Sequence, residues 1–153
     1  MTVPSQARAV IIGGGVVGCS IAYHLGKLGW RDVVLLERKQ LTCGTTWHAA
    51  GLIAQLRATQ NMTRLAKYSQ ELYFGLEAET GVATGFKRNG SITVALSDER
   101  MEELRRSAAM ARAFGVEIEE ISPTDIAARY PGLSVADVVG GVWLPKDGQA
   151  DPV

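Results

Sequence analysis

The segment Ala-Val-Ile-Ile-Gly-Gly-Gly-Val-Val-Gly, residues 9–18, limits what this chain can fold into more than any other. Ala9-Val10-Ile11-Ile12 is a short, unalternating apolar run, the pattern of a parallel strand buried on both faces. Three glycines end it, and apolar residues then recur at 17, 21, 25 and 28, a helical spacing that Gly29 stops. Val33-Val34-Leu35-Leu36 is a second buried strand, closed by Glu37. Strand, helix and strand within about 30 residues form a βαβ unit, right-handed by the usual rule. The expectation is an α/β fold that opens with a doubly wound parallel sheet.

Gly13-Gly14-Gly15-Val16-Val17-Gly18 fits Gly-x-Gly-x-x-Gly between that strand and that helix. In such a turn Gly13 permits the tight bend, Gly15 lets the backbone approach a pyrophosphate, and Gly18 lets helix and strand pack closely. N–H groups at the helix start then meet the phosphate charge. Glu37 stands 19 residues after Gly18, where a carboxylate accepts hydrogen bonds from an adenosine ribose. Being acidic, it disfavours a 2′-phosphate and argues against NADP. A glycine-rich turn without a nucleotide is the alternative, and NAD and FAD share the fingerprint.

Composition narrows the classes. The 153 residues are 46% apolar and 21% charged with zero net charge, which excludes a disordered chain and disfavours a nucleic-acid binder. No apolar run approaches the roughly 18 residues of a membrane span. Residues 1–8 lack the apolar core of a signal peptide, so a cytoplasmic setting is expected, or the mitochondrial matrix if the natural N-terminus is longer. Cys19 and Cys43 make neither a disulfide framework nor a metal-ligand set. Residues 1–76 carry eight Lys/Arg against three Asp/Glu, and residues 77–153 carry eight against 13. A basic first half suits an anionic ligand; scattered surface charge is the plainer reading.

Beyond Gly51 the periods change. A long amphipathic helix is expected over about 61–80, with Met62, Leu65, Ala66, Leu72, Tyr73 and Leu76 as its core face and Gly81 as its stop. Residues 91–96 alternate with period two, a half-buried antiparallel strand. Ser97 caps a helix carrying Met101, Leu104, Ala108 and Ala111. Val116, Ile118 and Ile121 suggest another one-sided strand, Ser122-Pro123-Thr124-Asp125 a capped helix start, and residues 138–144 a last strand. Asp151-Pro152-Val153 looks like the first turn of a helix whose body is missing, as in a fragment. The expected organisation is a nucleotide-binding part at 1–82, the start of an antiparallel α+β domain at 83–148, and a helix beginning at 149–153 that returns to the first part.

The segment Leu41-Thr42-Cys43-Gly44-Thr45-Thr46-Trp47-His48-Ala49-Ala50-Gly51-Leu52 has no clean period and is rich in hydroxyls and small residues. It resembles a motif of the sarcosine and dimethylglycine dehydrogenases, flavoenzymes of the D-amino-acid-oxidase-like superfamily. The resemblance continues through Gln55-Leu56-Arg57, Leu76-Glu77, Glu79-Thr80-Gly81, Asn89-Gly90-Ser91, Asp147-Gly148 and Asp151-Pro152, in order along the chain. The run from Gly44 to Arg57 is closer to the sarcosine branch.

That resemblance implies a Rossmann-like FAD-binding fold and hydride removal from an N-methyl amino acid to flavin. It implies FAD contacts at Gly13, Gly15, Val17 and Gly18, at Glu37 and Arg38, and at Gly44, Thr45, Thr46, Ala50 and Gly51. His48 matches the histidine that, in the family, joins a ring nitrogen to the flavin 8α-methyl carbon. A lone histidine in such a loop is otherwise a packed, hydrogen-bonded residue. Thr42, Thr45 and Thr46 either offer hydroxyls to the cofactor or cap the loop, Trp47 covers the flavin or packs, and His24 and Cys43 are structural. Tetrahydrofolate modules of the family and most substrate ligands would lie beyond residue 153, and no catalytic residue or electron acceptor is identified. A non-catalytic regulatory relative, of the kind that regulates pyruvate dehydrogenase phosphatase, and an NAD-binding module are the rival readings.

Overall fold

The computed structural model describes residues 4–152, so residues 1–3 and Val153 lie outside the described residues. Two compact units divide the chain, one of residues 1–50 with 152–153 and one of residues 51–151. The division at 50/51 differs from the 82/83 boundary read from the change of period.

In the first unit, β1 (Ala9–Ile12), α1 (Val16–Lys27) and β2 (Val33–Leu36) form the βαβ unit. β1 and β2 pair in parallel, Ala9 opposite Val33 and Ile12 opposite Leu36. Burial on both faces is not observed: Ile11 is buried, whereas Val10 is 56% and Ile12 88% exposed. The reason is geometric. Successive side chains alternate across a strand, α1 packs over the Ile11 side, and among the described residues this sheet has only two strands.

The second unit begins with β3 (Leu52–Ile53) and α2 (Gln60–Thr80). It continues with β4 (Ser91–Ala95), α3 (Asp98–Ala113), β5 (Glu119–Ile121), α4 (Pro123–Arg129), β6 (Gly140–Leu144) and β7 (Gly148–Gln149). β4, β6 and β5 form an antiparallel sheet in that order, and β3 pairs antiparallel with β7. α3 lays Met101, Leu104, Ala108 and Ala111 on this sheet, where they meet Ala95, Val116, Ile118, Val142 and Leu144 in one core. Burying side chains of this size contributes roughly 1.5–3 kcal/mol each for the larger ones. Ser122 and Asp125 form the expected capping box of α4.

Three expectations need correction. β5 starts at Glu119, not Val116: Val116 and Ile118 are buried in the core, but strand pairing to β6 is confined to 119–121. The apolar stripe of α2 is a core face only in part, since Met62 is 52% and Leu65 58% exposed, Ala66, Leu72, Tyr73 and Leu76 are half-buried, and the fully buried residues are Thr63 and Gln70. Residues 148–149 are strand and residues 150–152 carry no helix, so the returning helix expected at 149–153 does not begin in the described part of that segment. No helix of the described residues is long and apolar enough to cross a membrane.

Candidate cofactor-binding site

The glycine turn is built as its spacing predicts. Gly13 takes φ +103, a region L side chains rarely enter, and its N–H donates to the Leu36 carbonyl at 2.8 Å. Gly18 is buried against the Gly13 carbonyl, where a Cβ would overlap that oxygen. Helix and strand therefore approach as closely as the backbone allows. Gly15 is the N-cap of α1, with no side-chain cap of its own.

Two side chains from the β2-to-turn segment converge on this loop. Glu37 Oε2 accepts from Gly14 N–H at 2.8 Å, and its Oε1 accepts from Lys39 N–H at 3.0 Å. These two N–H groups, Gly14 first, hold the Glu37 carboxyl below its usual range. Thr46 Oγ1 accepts from Val16 N–H at 3.0 Å, thirty residues away, and so caps α1 from a distance. Thr42 N–H donates to the Gly14 carbonyl at 2.9 Å, with Thr42 itself at φ +64. A β-branched residue is strained there, which places local backbone strain in the segment that docks on the glycine turn.

Gly14 is the residue that the motif left unspecified. Its N–H and carbonyl are both taken by this segment, and an added Cβ would stand 2.5 Å from Leu41 Cδ2. The signal was a third glycine at a position where the pattern permits any residue.

The remaining expected contacts are mixed. Val17 is exposed in the first turn of α1, and Arg38 is exposed just beyond β2. Gly44 is exposed with open space at its Cα, so nothing in the chain demands glycine there. Thr45 is the N-cap of a single 3-10 turn, Thr46–His48, and makes no side-chain cap bond. His48 is exposed, and its ring stacks on that of Trp47 at 3.8 Å between centroids and 33° between planes. Trp47 does not pack into a core, being 49% exposed. Ala50 is exposed at the end of the first unit. Gly51 belongs to the second unit, where its carbonyl accepts from Ala150 N–H at 2.8 Å. His24 is tied to the Ser20 carbonyl at 2.6 Å, in keeping with a structural role.

Among the described residues, none accepts from the N–H groups of Gly15 or Val17. Open donors at a helix start beside a side-chain-free turn are what a pyrophosphate requires, so the residues present fit a dinucleotide such as FAD. Comparison with known proteins agrees. Residues 8–153 match the family of FAD dependent oxidoreductases designated DAO.

The chain belongs to the FAD-dependent oxidoreductase family.

Within this family the chain is 43% identical over 150 residues to human sarcosine dehydrogenase, covering 97% of this chain and 16% of that protein. Rat dimethylglycine dehydrogenase is 43% identical over 147 residues, 96% of this chain and 17% of that protein. The mouse pyruvate dehydrogenase phosphatase regulatory subunit is 42% identical, again over 96% of this chain and 17% of that protein. Among solved structures, L-proline dehydrogenase of P. horikoshii superposes with a TM-score of 0.90 at 31% identity, covering 98% of this chain and 39% of that one. The chain thus spans only 16–17% of the length of these curated relatives.

Proposed function

We propose that this chain is the cofactor-binding beginning of an enzyme that oxidises an N-methyl group of a small amino acid, sarcosine or dimethylglycine, with covalently held FAD. The observation that carries the reading is the convergence of the Glu37 carboxylate and the Thr46 hydroxyl on one glycine loop, at 2.8 and 3.0 Å. When bound, FAD supplies the acceptor for a hydride from the N-methyl carbon. The open N–H groups of Gly15 and Val17 would hold its pyrophosphate. Glu37 would take the adenosine ribose while keeping Gly14 N–H, because a carboxylate offers about four lone-pair sites. Arg38, Gly44, Thr45, Ala50 and Gly51 would complete the contacts, and His48 would hold the flavin through a ring nitrogen.

Residues 1–82 would then serve the cofactor, and 83–148 would open the substrate-binding part. Substrate ligands, the electron acceptor and any tetrahydrofolate module belong to the rest of such an enzyme.

Acid precipitation of the full-length protein tests this reading. Denatured protein should stay yellow, and the flavin-bearing peptide should contain His48. His48→Ala should release its FAD on denaturation. Flavin found wholly in the wild-type supernatant would overturn the covalent bond but leave FAD binding standing.

A second reading rests on the match to the phosphatase regulatory subunit, which is as similar to this chain as the dehydrogenases are. A full-length protein without flavin absorbance and without amine oxidation would favour it.

A further inference from the structure

We propose that the cavity enclosed by α2, the α3–β5 loop and the β6–β7 turn is a binding site for a free acidic α-amino acid such as L-glutamate. Every residue that builds it belongs to the second compact unit. The inference does not rest on the flavin reading.

The cavity measures about 230 Å³, room for a small metabolite rather than a drug-sized ligand. Its floor is Gln55, only 3% exposed. That floor is rigidly held. Gln55 N–H donates to Asp147 Oδ1 at 2.8 Å, and Gln55 Nε2 donates to Gln70 Oε1 at 2.6 Å. Gln70 in turn donates to the Lys146 carbonyl. The Gln55 side-chain oxygen accepts from none of the described residues. Since no described side-chain polar atom is both enclosed and unpaired, that oxygen opens to the cavity. It is a fixed acceptor, and a donor from outside the chain must satisfy it.

Charge around the rim decides what that donor is. Lys67, Arg88 and Lys146 stand against Glu71 and Glu117, an excess of one positive charge. Of these, only Lys146 and Glu117 are paired among the described residues, at 3.1 Å. Glu71 lies one helical turn from Lys67, a spacing at which opposite charges readily pair. Lys67 Nζ instead donates to the Gly115 carbonyl at 2.6 Å. Glu71 makes no ion pair or hydrogen bond among the described residues. The Arg88 guanidinium lies over the Phe74 ring at 3.8 Å. Stacking fixes its plane and leaves its N–H edge free to receive a carboxylate.

Two cations without a counter-ion, one free carboxylate and one open amide oxygen remain. Two ligand carboxylates match Lys67 and Arg88. An ammonium, with three donors, serves both Glu71 and Gln55. One ammonium and two carboxylates make an acidic α-amino acid, whose single negative charge cancels the local excess. A monocarboxylic amino acid leaves one cation unmatched. A dicarboxylate without nitrogen leaves Glu71 and Gln55 unmatched.

Equilibrium dialysis of the full-length protein against radiolabelled L-glutamate at low salt tests the site. Saturable binding is expected in the wild type. Glu71→Gln and Arg88→Gln should each weaken it at least tenfold, about the scale of one charge-assisted hydrogen bond. As competitors, glutarate (no ammonium) and L-glutamine (no second carboxylate) should each need at least tenfold higher concentration than unlabelled L-glutamate. Urea unfolding checks the variants, and Glu71→Gln should keep the wild-type midpoint because its side chain is exposed and unpaired. If Arg88→Gln loses stability with its Phe74 contact, Glu71→Gln and the competitor series decide. Absence of saturable binding, or equal affinity in wild type and Glu71→Gln, would overturn the site. Glutarate or L-glutamine competing as well as L-glutamate would overturn the ligand class.

Discussion

Helices α2 and α3 carry comparable amphipathic patterns and meet different fates. α3 buries its apolar stripe of Met101, Leu104, Ala108 and Ala111 on the antiparallel sheet. α2 leaves Met62 and Leu65 open and buries Thr63 and Gln70 instead. The cause is the partner. α3 faces the apolar side of β4 and β6, whereas α2 is gripped by a polar clasp. Thr63 Oγ1 accepts from Arg57 N–H at 3.1 Å and donates to the Arg57 carbonyl at 3.2 Å. Gln70 accepts from Gln55 Nε2 at 2.6 Å and donates to the Lys146 carbonyl. Gln55 N–H in turn donates to Asp147 Oδ1 at 2.8 Å, and Ser91 Oγ to Asp147 Oδ2 at 2.7 Å. No described buried side-chain polar atom lacks a partner. Periodicity tells which face of a helix is apolar. It does not tell which face finds a neighbour.

The largest consequence falls on α3. Leu104 is fully enclosed in the core, so Leu104→Ala should destabilise the protein by about 2–5 kcal/mol, transfer and cavity terms together. Urea unfolding of the two proteins measures it. A shift below about 1 kcal/mol would mean that the α3 face is no better packed than that of α2.

Gln70→Ala examines the clasp. The Gln55 carboxamide would lose its buried acceptor, and the Lys146 carbonyl, in a part-buried setting, its donor. A buried group left unsatisfied costs about 1–3 kcal/mol, and the same unfolding experiment should find a loss in that range. Wild-type stability in this variant would show that water replaces the bonds and that the clasp does not hold α2.

The sequence made part of this legible and left the rest hidden, for physical reasons. Gly13, Gly18 and the hydroxyl caps at Ser97 and Ser122 are local: each is required by a dihedral angle, a close approach or an orphan N–H a few residues away. The clasp is not local, since Gln55 and Asp147 stand 92 positions apart and polar side chains carry no burial signature. β3 and β7 have two residues each, too few for any period. At the candidate site the glycine turn was readable. The Thr46 cap on Val16 and the double hold on Gly14 were not, because both depend on how the 37–46 segment folds back. The exposed face of β1 was missed because an apolar run looks the same whether or not something covers it.

The two helices should respond alike at their caps. Thr59 Oγ1 accepts from Met62 N–H at 3.3 Å, and Ser97 Oγ accepts from Arg100 N–H at 3.2 Å. Thr59→Ala and Ser97→Ala should each cost about 1 kcal/mol, read as paired shifts in the urea midpoint. A much larger effect at Thr59 would show that α2, whose apolar stripe is at most half-buried, depends more heavily on its ends.

The smallest expected effect separates the helices most cleanly. Leu65 lies on the apolar stripe of α2 at the same kind of position that Leu104 holds on α3, yet it is exposed. Truncating it removes little surface from a buried environment and opens no cavity. Leu65→Ala should therefore change stability by no more than about 0.5 kcal/mol, and alanine's better helix propensity offsets part of even that. Measured beside Leu104→Ala in one urea series, the contrast isolates the partner surface as the variable, since residue, substitution and helical setting are shared. A loss at Leu65 approaching that at Leu104 would mean that the stripe of α2 is covered in the folded protein, and the polar clasp would then be a secondary support rather than the seat of the helix.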